Sequence, residues 1–136
     1  MSRIPAEVRA MLARPNLAHL ATVLPDGAPH SVPVWVDLDE GDRLLFFTQA
    51  GSRKARNLAA DGRVALSVED RDDPYEQCDV RGRVVRRLEG DAALEVADRL
   101  GVKYTGRPFP MRSPATVAYV VEIERAHHLK LPFSPG

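Results

Sequence analysis

The residues best suited to chemistry lie where an apolar run gives way to a helix-forming segment. Residues 46–58 end the run, turn at Gly51 and continue with Ser52, Arg53 and Lys54. Backbone N–H groups at a helix start are unpaired and partly positive, so they bind anions; Arg adds a bidentate fork and Lys a point charge. The segment is therefore a candidate phosphate site. A Ser-capped helix with a solvated basic face is the alternative.

The remaining polar groups predict neither a metal site nor a catalytic side chain. His127 and His128 are adjacent on a strand and so point to opposite faces. Cys78 has no His or Lys neighbour in sequence that would activate its thiol. We expect His19 to be a hydrogen-bonded histidine inside a barrel, and His30 is a weaker candidate for a pocket mouth. The carboxylates between residues 37 and 42 belong to a turn.

Hydrophobic periodicity predicts a mainly β, α+β fold built from six strands and three short helices. The helices are expected at residues 3–14, 52–60 and 89–100, and the strands at 17–24, 29–37, 43–48, 63–69, 75–87 and 117–123. Tight turns between the first three strands favour an antiparallel meander. Gly82, inside the long fifth strand, predicts a bulge.

Composition indicates one globular domain over residues 1–136 and excludes several functions. Nineteen basic and nineteen acidic residues leave no net charge, which disfavours a nucleic-acid binder. No apolar run approaches the roughly 20 residues of a membrane span, and the N-terminus does not resemble a signal peptide. A single cysteine fits a reducing compartment. We therefore expect a cytoplasmic protein with no membrane partner.

Several short segments, spread over roughly a hundred residues, together resemble one known family. They are Leu20-Ala21-Thr22 with Asp26-Gly27, Pro33-Val34-Trp35, Ser52-Arg53-Lys54 with Asn57-Leu58, Asp61-Gly62-Arg63, Asp73-Pro74-Tyr75, residues 80–84, and Lys103-Tyr104 with Gly106. Their order and spacing resemble the pyridoxamine 5'-phosphate oxidase-like split β-barrels, in particular the small branch that uses FMN or the deazaflavin coenzyme F420. No single segment is specific.

The resemblance implies a six-stranded antiparallel split β-barrel with short flanking helices, working as a homodimer with cofactor sites at the subunit interface. It also implies site roles. Residues matching Thr48, Ser52, Arg53 and Lys54 would hold the cofactor phosphate, with Asn57 as a further contact. The strand carrying Pro33, Val34 and Trp35 would run along the cofactor ring, and the strand from Tyr75 would approach the partner's cofactor. Core packing is the alternative for Trp35.

The leading functional prediction is an F420-dependent oxidoreductase that moves a hydride between the deazaflavin and a small organic substrate. The absence of a conspicuous catalytic residue fits this prediction, because the cofactor ring itself carries hydride chemistry. FMN is the alternative cofactor, and a carrier or sensor that binds without turnover is the non-enzymatic alternative. Pyridoxamine phosphate oxidation is less favoured, because the C-terminal residues 131–136 supply no Arg-His constellation.

Overall fold

The computed structural model describes residues 4–136, and within them the chain forms three helices and seven strands. In chain order these are α1 (Ala6–Ala13), β1 (Ala18–Val23), β2 (Pro29–Val34), β3 (Asp37–Leu38), β4 (Leu44–Gln49), α2 (Arg53–Ala60), β5 (Arg63–Glu69), β6 (Glu76–Leu88), α3 (Gly90–Thr105) and β7 (Thr116–Lys130).

The strands form one antiparallel sheet with the order β2-β1-β5-β6-β7-β4-β3. The sheet curls into a half-barrel around a main core that α1 and α2 help to close. The largest fully buried side chains of this core include Met11, Leu20, Phe46, Val80 and Val121. The predicted α+β, mainly β class and the antiparallel barrel are confirmed.

A second, smaller core lies on the opposite face of β4 and β7. There Leu45 and Val120 pack with Val96 and Leu100 of α3. Because β4 is covered on both faces, it reads as a nearly continuous apolar run instead of an alternating one. This arrangement places α3 beside the end of β2, where the candidate site lies.

The strand count was predicted as six and is seven, because the predicted strand 29–37 is interrupted. The backbone N–H of Val36 donates to the hydroxyl of Tyr104 (3.1 Å), and its carbonyl accepts from Nζ of Lys103 (2.6 Å). These side-chain bonds take the place of ladder bonds at Val36. The short strand β3 then pairs with β4 instead of continuing β2.

The predicted meander is also wrong. β1 and β2 do form the expected hairpin, but β4 pairs with β7 and β3 and not with β2. The alternation of apolar and polar residues identifies the two faces of a strand. Its partner strand, by contrast, is determined by packing between segments that are far apart in sequence.

Several boundaries differ from the sequence prediction. The first helix is confirmed over Ala6–Ala13, and residue 3 of its predicted range lies outside the described residues. α3 continues past Leu100 to Thr105 and ends at Gly106, which has a left-handed φ of 83°. β7 continues past Ile123 to Lys130 alongside β6. Ala59, expected on the inner face of α2, is exposed.

The predicted bulge at Gly82 is confirmed. The register between β6 and β7 shifts between Arg81 and Gly82. A Cβ at Gly82 would lie 2.2 Å from the carbonyl oxygen of Glu122 and 2.9 Å from Cγ1 of Val121. Only glycine allows the two strands to approach this closely.

No helix within residues 4–136 has both the length and the apolar character needed to cross a lipid bilayer.

Candidate functional site

The turn after β4 places a hydroxyl pair at the start of α2. Ser52 is the N-cap: its Oγ accepts a hydrogen bond from the backbone N–H of Ala55 (3.2 Å). The hydroxyl of Thr48, buried at the end of β4, donates to the same Oγ (3.0 Å). The predicted N-cap at Ser52, which both interpretations of this segment share, is confirmed, and Thr48 and Ser52 are in direct contact.

Asn57 holds Arg53 against the barrel. Its side chain is 2 % exposed. The amide nitrogen donates to Oγ1 of Thr22 on β1 (3.0 Å), and the amide oxygen accepts from Nε of Arg53 (3.0 Å). Both ends of the amide are therefore engaged within the chain. Asn57 restricts the position of the Arg53 guanidinium, whose remaining N–H groups have no protein acceptor within residues 4–136.

Lys54 lies on a cleft between the end of β2 and the outer face of β4. This cleft, the Lys54 cleft, has a volume of about 360 Å³ and is lined by Leu17, Pro33, Val34, Trp35, Phe47, Lys54 and Phe109. The Lys54 ammonium is half-buried and has no carboxylate within ion-pair distance among residues 4–136. Burial lowers the pKa of Lys54 from its ordinary value. A partly desolvated cation without a counter-ion favours an anionic ligand.

The structure thus brings Lys54 together with Pro33, Val34 and Trp35, four of the nine residues predicted for the site, in one cleft. Thr48, Ser52, Arg53 and Asn57 form the adjoining hydrogen-bond network at the start of α2.

Trp35 belongs to an aromatic cluster and is not simply a core residue. Its ring stacks on Tyr104 with a centroid distance of 5.2 Å and an interplanar angle of 7°. It makes edge contacts with Phe47 (6.4 Å) and Phe109 (6.2 Å), which also contact each other at 4.8 Å. Trp35 stays half-buried while it lines the cleft. The cluster gives the cleft flat, apolar walls.

Phe47 and Phe109 were missed by the sequence prediction. Phe47 could have been found, because it alternates with the core residue Phe46 on a strand and so faces outward. Phe109 lies in an irregular proline-marked stretch that carries no local signal.

The position of Phe109 depends on α3. A Cβ at Gly101 would lie 2.6 Å from the backbone nitrogen of Phe109. Nη1 of Arg112 donates to the carbonyl oxygen of Phe109 (3.1 Å) and also pairs with Asp98 of α3. Close packing at a glycine and one ion pair therefore fix this wall of the cleft.

Side-chain hydrogen bonds from Lys103 and Tyr104 attach the C-terminal end of α3 to the backbone beneath the cleft. The Tyr104 hydroxyl donates to the carbonyl of Asn16 (2.6 Å) and accepts from the N–H of Val36. Lys103 donates to the carbonyls of Leu12 and Val36. Burial raises the pKa of Tyr104 and lowers that of Lys103, although the nearby Asp37 opposes the second shift. The Lys103-Tyr104 pair noted in the sequence therefore holds the Tyr104 ring in place against Trp35.

Tyr75 does not line the Lys54 cleft of its own chain. Its ring centroid lies 5.3 Å from that of Phe133, and its carbonyl accepts from the N–H of Leu131 (2.9 Å). The predicted role of Tyr75 at a partner's cofactor stays a prediction.

The histidines are dispersed. His19, expected inside the barrel, is exposed on the outer face of β1, because it alternates with the core residues Ala18 and Leu20. His30 is half-buried with its Nδ1 enclosed and without a hydrogen-bond partner. Nε2 of His128 lies 2.9 Å from a carboxylate oxygen of Glu76. Among residues 4–136, no three His, Cys, Asp or Glu side chains are grouped so as to hold a metal ion.

Two further groups are structural. Cys78 is 3 % exposed, and burial raises the pKa of its thiol to about 11, which disfavours the nucleophilic thiolate. Oδ1 of Asp39 accepts from the N–H groups of Gly41 and Arg43, as expected of a turn carboxylate.

A second cleft adjoins the first. The His19 cleft has a volume of about 520 Å³ and shares Leu17 and Trp35 with the Lys54 cleft; its other lining residues are Pro15, His19, Glu69, Asp70, Arg71, Pro74 and Tyr104. The molecule therefore presents two contiguous cavities on either side of Leu17 and Trp35.

Comparison with known proteins gives a consistent result. The family model described as pyridoxamine 5'-phosphate oxidase matches residues 4–130. A pyridoxine/pyridoxamine 5'-phosphate oxidase of Rubrobacter xylanophilus is 41% identical over 59 residues. That alignment spans 43% of this chain and 27% of the relative, so the chain matches about a quarter of the curated relative's length.

Solved structures share the fold. An F420 reductase is 32% identical and superimposes with a TM-score of 0.80 over 90% of this chain and 98% of its own. A heme binding protein from Mycobacterium smegmatis is 21% identical, with a TM-score of 0.73 over 95% of this chain and 55% of its own, a likeness of fold alone. The architecture is that of a split barrel, and the family and its neighbours include oxidoreductases.

Proposed function

Because this chain belongs to the pyridoxamine 5'-phosphate oxidase family, we propose that it is an oxidoreductase that binds F420 or FMN in the Lys54 cleft. The observation that carries the proposal is Lys54 itself. It is a half-buried cation without a counter-ion, beside a capped helix start at one end and an aromatic wall at the other.

The residues present fit the phosphate of such a cofactor. Lys54 offers an ammonium, Arg53 offers the guanidinium N–H groups that Asn57 leaves unused, and the Ser52 hydroxyl adds a polar group at the helix start. A helix N-terminus adds a partial positive charge. Thr48 and Asn57 would act indirectly, by positioning these groups, because their own hydrogen bonds go to Ser52, Thr22 and Arg53.

The residues present also fit a flat ring. The backbone of Pro33, Val34 and Trp35 borders the cleft, with Phe47 and Phe109 opposite. When bound, the ring would supply the hydride chemistry. The chain's part is to hold the phosphate, to orient the ring and to exclude water with apolar walls.

We favour F420 over FMN. The F420 reductase similar to this chain covers nine-tenths of it, and an exposed arginine, Arg56, follows the phosphate residues on α2. F420 carries an anionic polyglutamate tail, which a further cation outside the cleft would attract. FMN needs only the phosphate residues.

We further propose a homodimer in which the partner completes the site. Tyr75 does not line the Lys54 cleft of its own chain, and a second subunit would bring its own β6 to that cleft. Two-fold symmetry would make both sites equivalent.

The phosphate site is tested by the double variant Arg53→Ala/Lys54→Ala. Loss of two charge-assisted bonds should weaken cofactor binding by about 2 kcal/mol or more, roughly 30-fold in Kd. Fluorescence titration gives the affinity. Arg125→Ala, an exposed arginine on β7 with no ion pair among residues 4–136, is the matched control. Unchanged affinity in the double variant would remove the site from consideration.

Cofactor choice is tested by parallel titrations with F420, FMN and hemin. We expect F420 to bind most tightly. If FMN binds at least about ten-fold more tightly than F420, a difference of about 1.4 kcal/mol, the choice of F420 is overturned. The proposal that the Lys54 cleft binds a flavin-type cofactor would then still stand. Tight hemin binding with neither of the others would overturn the proposal.

Assembly is tested by sedimentation at micromolar concentration. A monomer that retains full cofactor affinity would contradict both the dimer and the shared site.

A further inference from the structure

The His19 cleft adjoins the proposed cofactor site, and most of its lining residues belong to it alone. The two clefts share Leu17 and Trp35 as a common border. Leu17 is 52% exposed, a large apolar side chain between two cavities. Exposed apolar surface inside a concave site favours a ligand that covers it. The cavity, about 520 Å³, is within the size range of small-molecule sites.

The floor of the His19 cleft is rigid and aromatic. Trp35 and Tyr104 both line it, and they are stacked on each other. The Tyr104 hydroxyl is bonded to the backbone of Asn16 and Val36, which fixes the stack. Such a floor favours a planar ligand over a flexible one, because the ligand meets flat surfaces that do not need to be ordered on binding.

The charges on the rim are not equivalent. Asp70 is already engaged: it accepts from Nε of Arg14 (3.0 Å) and from the N–H groups of Asp72 and Asp73 (both 3.1 Å). Burial alone would raise the pKa of Asp70, but the bonds from the Asp72 backbone and Arg14 outweigh it, so its pKa is lowered. Asp70 therefore serves the fold of its loop and is not available to a ligand.

Arg71 is the cation that the rim leaves available. Its backbone N–H donates to Oδ1 of Asn16 (2.9 Å), which holds the loop in place. Its guanidinium has no carboxylate within ion-pair distance among residues 4–136. Glu69, also exposed, has no ion pair within the same range. The imidazole of His19 adds a polar group without a hydrogen-bond partner in the described part of the chain.

We propose that the His19 cleft is the substrate subsite and takes a planar, largely apolar monocarboxylate whose carboxylate pairs with Arg71. The substrate role rests on the proposed oxidoreductase function. A guanidinium matches a carboxylate with two parallel hydrogen bonds, which gives it the preference for this group. Glu69 beside it disfavours a second negative charge on the ligand.

Binding of 2-naphthoate at pH 7.5, measured by calorimetry on the full chain saturated with its cofactor, tests the subsite. Arg71→Gln should weaken it about five-fold to ten-fold, a reduced effect for an exposed charge pair. Binding of the uncharged 2-naphthalenemethanol should not change in this variant. Glu69→Gln should strengthen naphthoate binding, and Arg125→Gln, on β7, should leave it unaltered. All of these substitutions are at exposed positions, so the variants should fold.

The two clefts are distinguished by Lys54→Gln, which should reduce cofactor affinity and leave naphthoate affinity intact. Loss of naphthoate binding in Lys54→Gln, or competition between naphthoate and cofactor, would show that the probe occupies the Lys54 cleft and would overturn the proposal. Stronger binding of 2-naphthylmethylamine than of naphthoate would also overturn the proposal. So would the absence of naphthoate binding at millimolar concentration, which is the result expected if a second copy of the chain fills the cleft. Arg71-dependent naphthoate binding in a protein that binds neither F420 nor FMN would overturn the cofactor proposal and support the cleft as a carboxylate site.

Discussion

Replacing Tyr104 by Phe removes one hydroxyl and leaves the ring that stacks on Trp35. That hydroxyl satisfies the N–H of Val36 and the carbonyl of Asn16, and both residues are 1 % exposed. Burying an unpaired backbone group costs about 1–3 kcal/mol, so losing both partners should reduce the free energy of unfolding by about 2–4 kcal/mol. Lys103 keeps its own bond to the Val36 carbonyl, so this carbonyl is not among the groups left unpaired.

Urea unfolding followed by the fluorescence of Trp35, the single tryptophan of the chain, measures this loss. With a slope of about 2 kcal/mol per molar urea, the midpoint should fall by about 1–2 M. Tyr75→Phe is the matched control, because the Tyr75 hydroxyl has no hydrogen-bond partner within residues 4–136. Cofactor affinity of Tyr104→Phe should change by less than about three-fold, or 0.7 kcal/mol, since the ring stays in place. Equal midpoints for the two variants would refute the conclusion that the Tyr104 hydroxyl stabilises the protein through its bonds to Val36 and Asn16.

Three further outcomes are expected. Gly82→Ala should destabilise the protein by about 3 kcal/mol in thermal unfolding, because its Cβ would lie 2.2 Å from the backbone oxygen of Glu122 in β7; Gly51→Ala, with nothing within 4 Å, should be close to neutral. Burial lowers the pKa of Lys54 below 10.5, and only the charged form attracts phosphate, so cofactor affinity should be full below that lowered pKa and fall as pH rises through it. Lys54→Arg, which stays charged, should show no such fall in equilibrium titrations from neutral to alkaline pH. The thiol of Cys78, buried and with its pKa raised to about 11, should react with an aromatic disulfide reagent at pH 8 only at the rate of local opening; rapid labelling of the folded protein would contradict its burial.

The arrangement of the residues proposed to bind phosphate could be predicted from the sequence because it is local. Thr48, Ser52 and Asn57 lie within ten residues, and their contacts follow from a strand end, an N-cap and one helical turn. The first hairpin is local as well: Gly27, with a φ of 88°, ends the turn that joins β1 to β2. Where short-range rules determine the geometry, pattern and structure agree.

The aromatic end of the cleft could be predicted only in part from the sequence, because its walls come from segments that are distant along the chain. Trp35 was predicted from the family resemblance, but its stacking partner Tyr104 is 69 positions away and Phe109 belongs to no regular element. The same limit explains the wrong meander: β4 selects β7, some 70 residues downstream, since α3 and the main core cover both faces of that pair. Periodicity identifies faces, whereas tertiary packing selects partners.

This division between a local and a non-local end predicts how the site responds to change. Lys54 extends from a helix whose cap and packing do not involve its charge, so variants there should alter ligand affinity with little cost in stability. Truncating Arg53 has an additional cost, because it leaves the buried amide oxygen of Asn57 without its donor. Trp35 and Phe109 instead join β2 and the segment after α3 to the second core, so variants there should lower stability and affinity together. If the proposed site is correct, a substitution at Lys54 changes anion affinity by itself, whereas a change in the shape of the aromatic wall must be accompanied by repacking of α3.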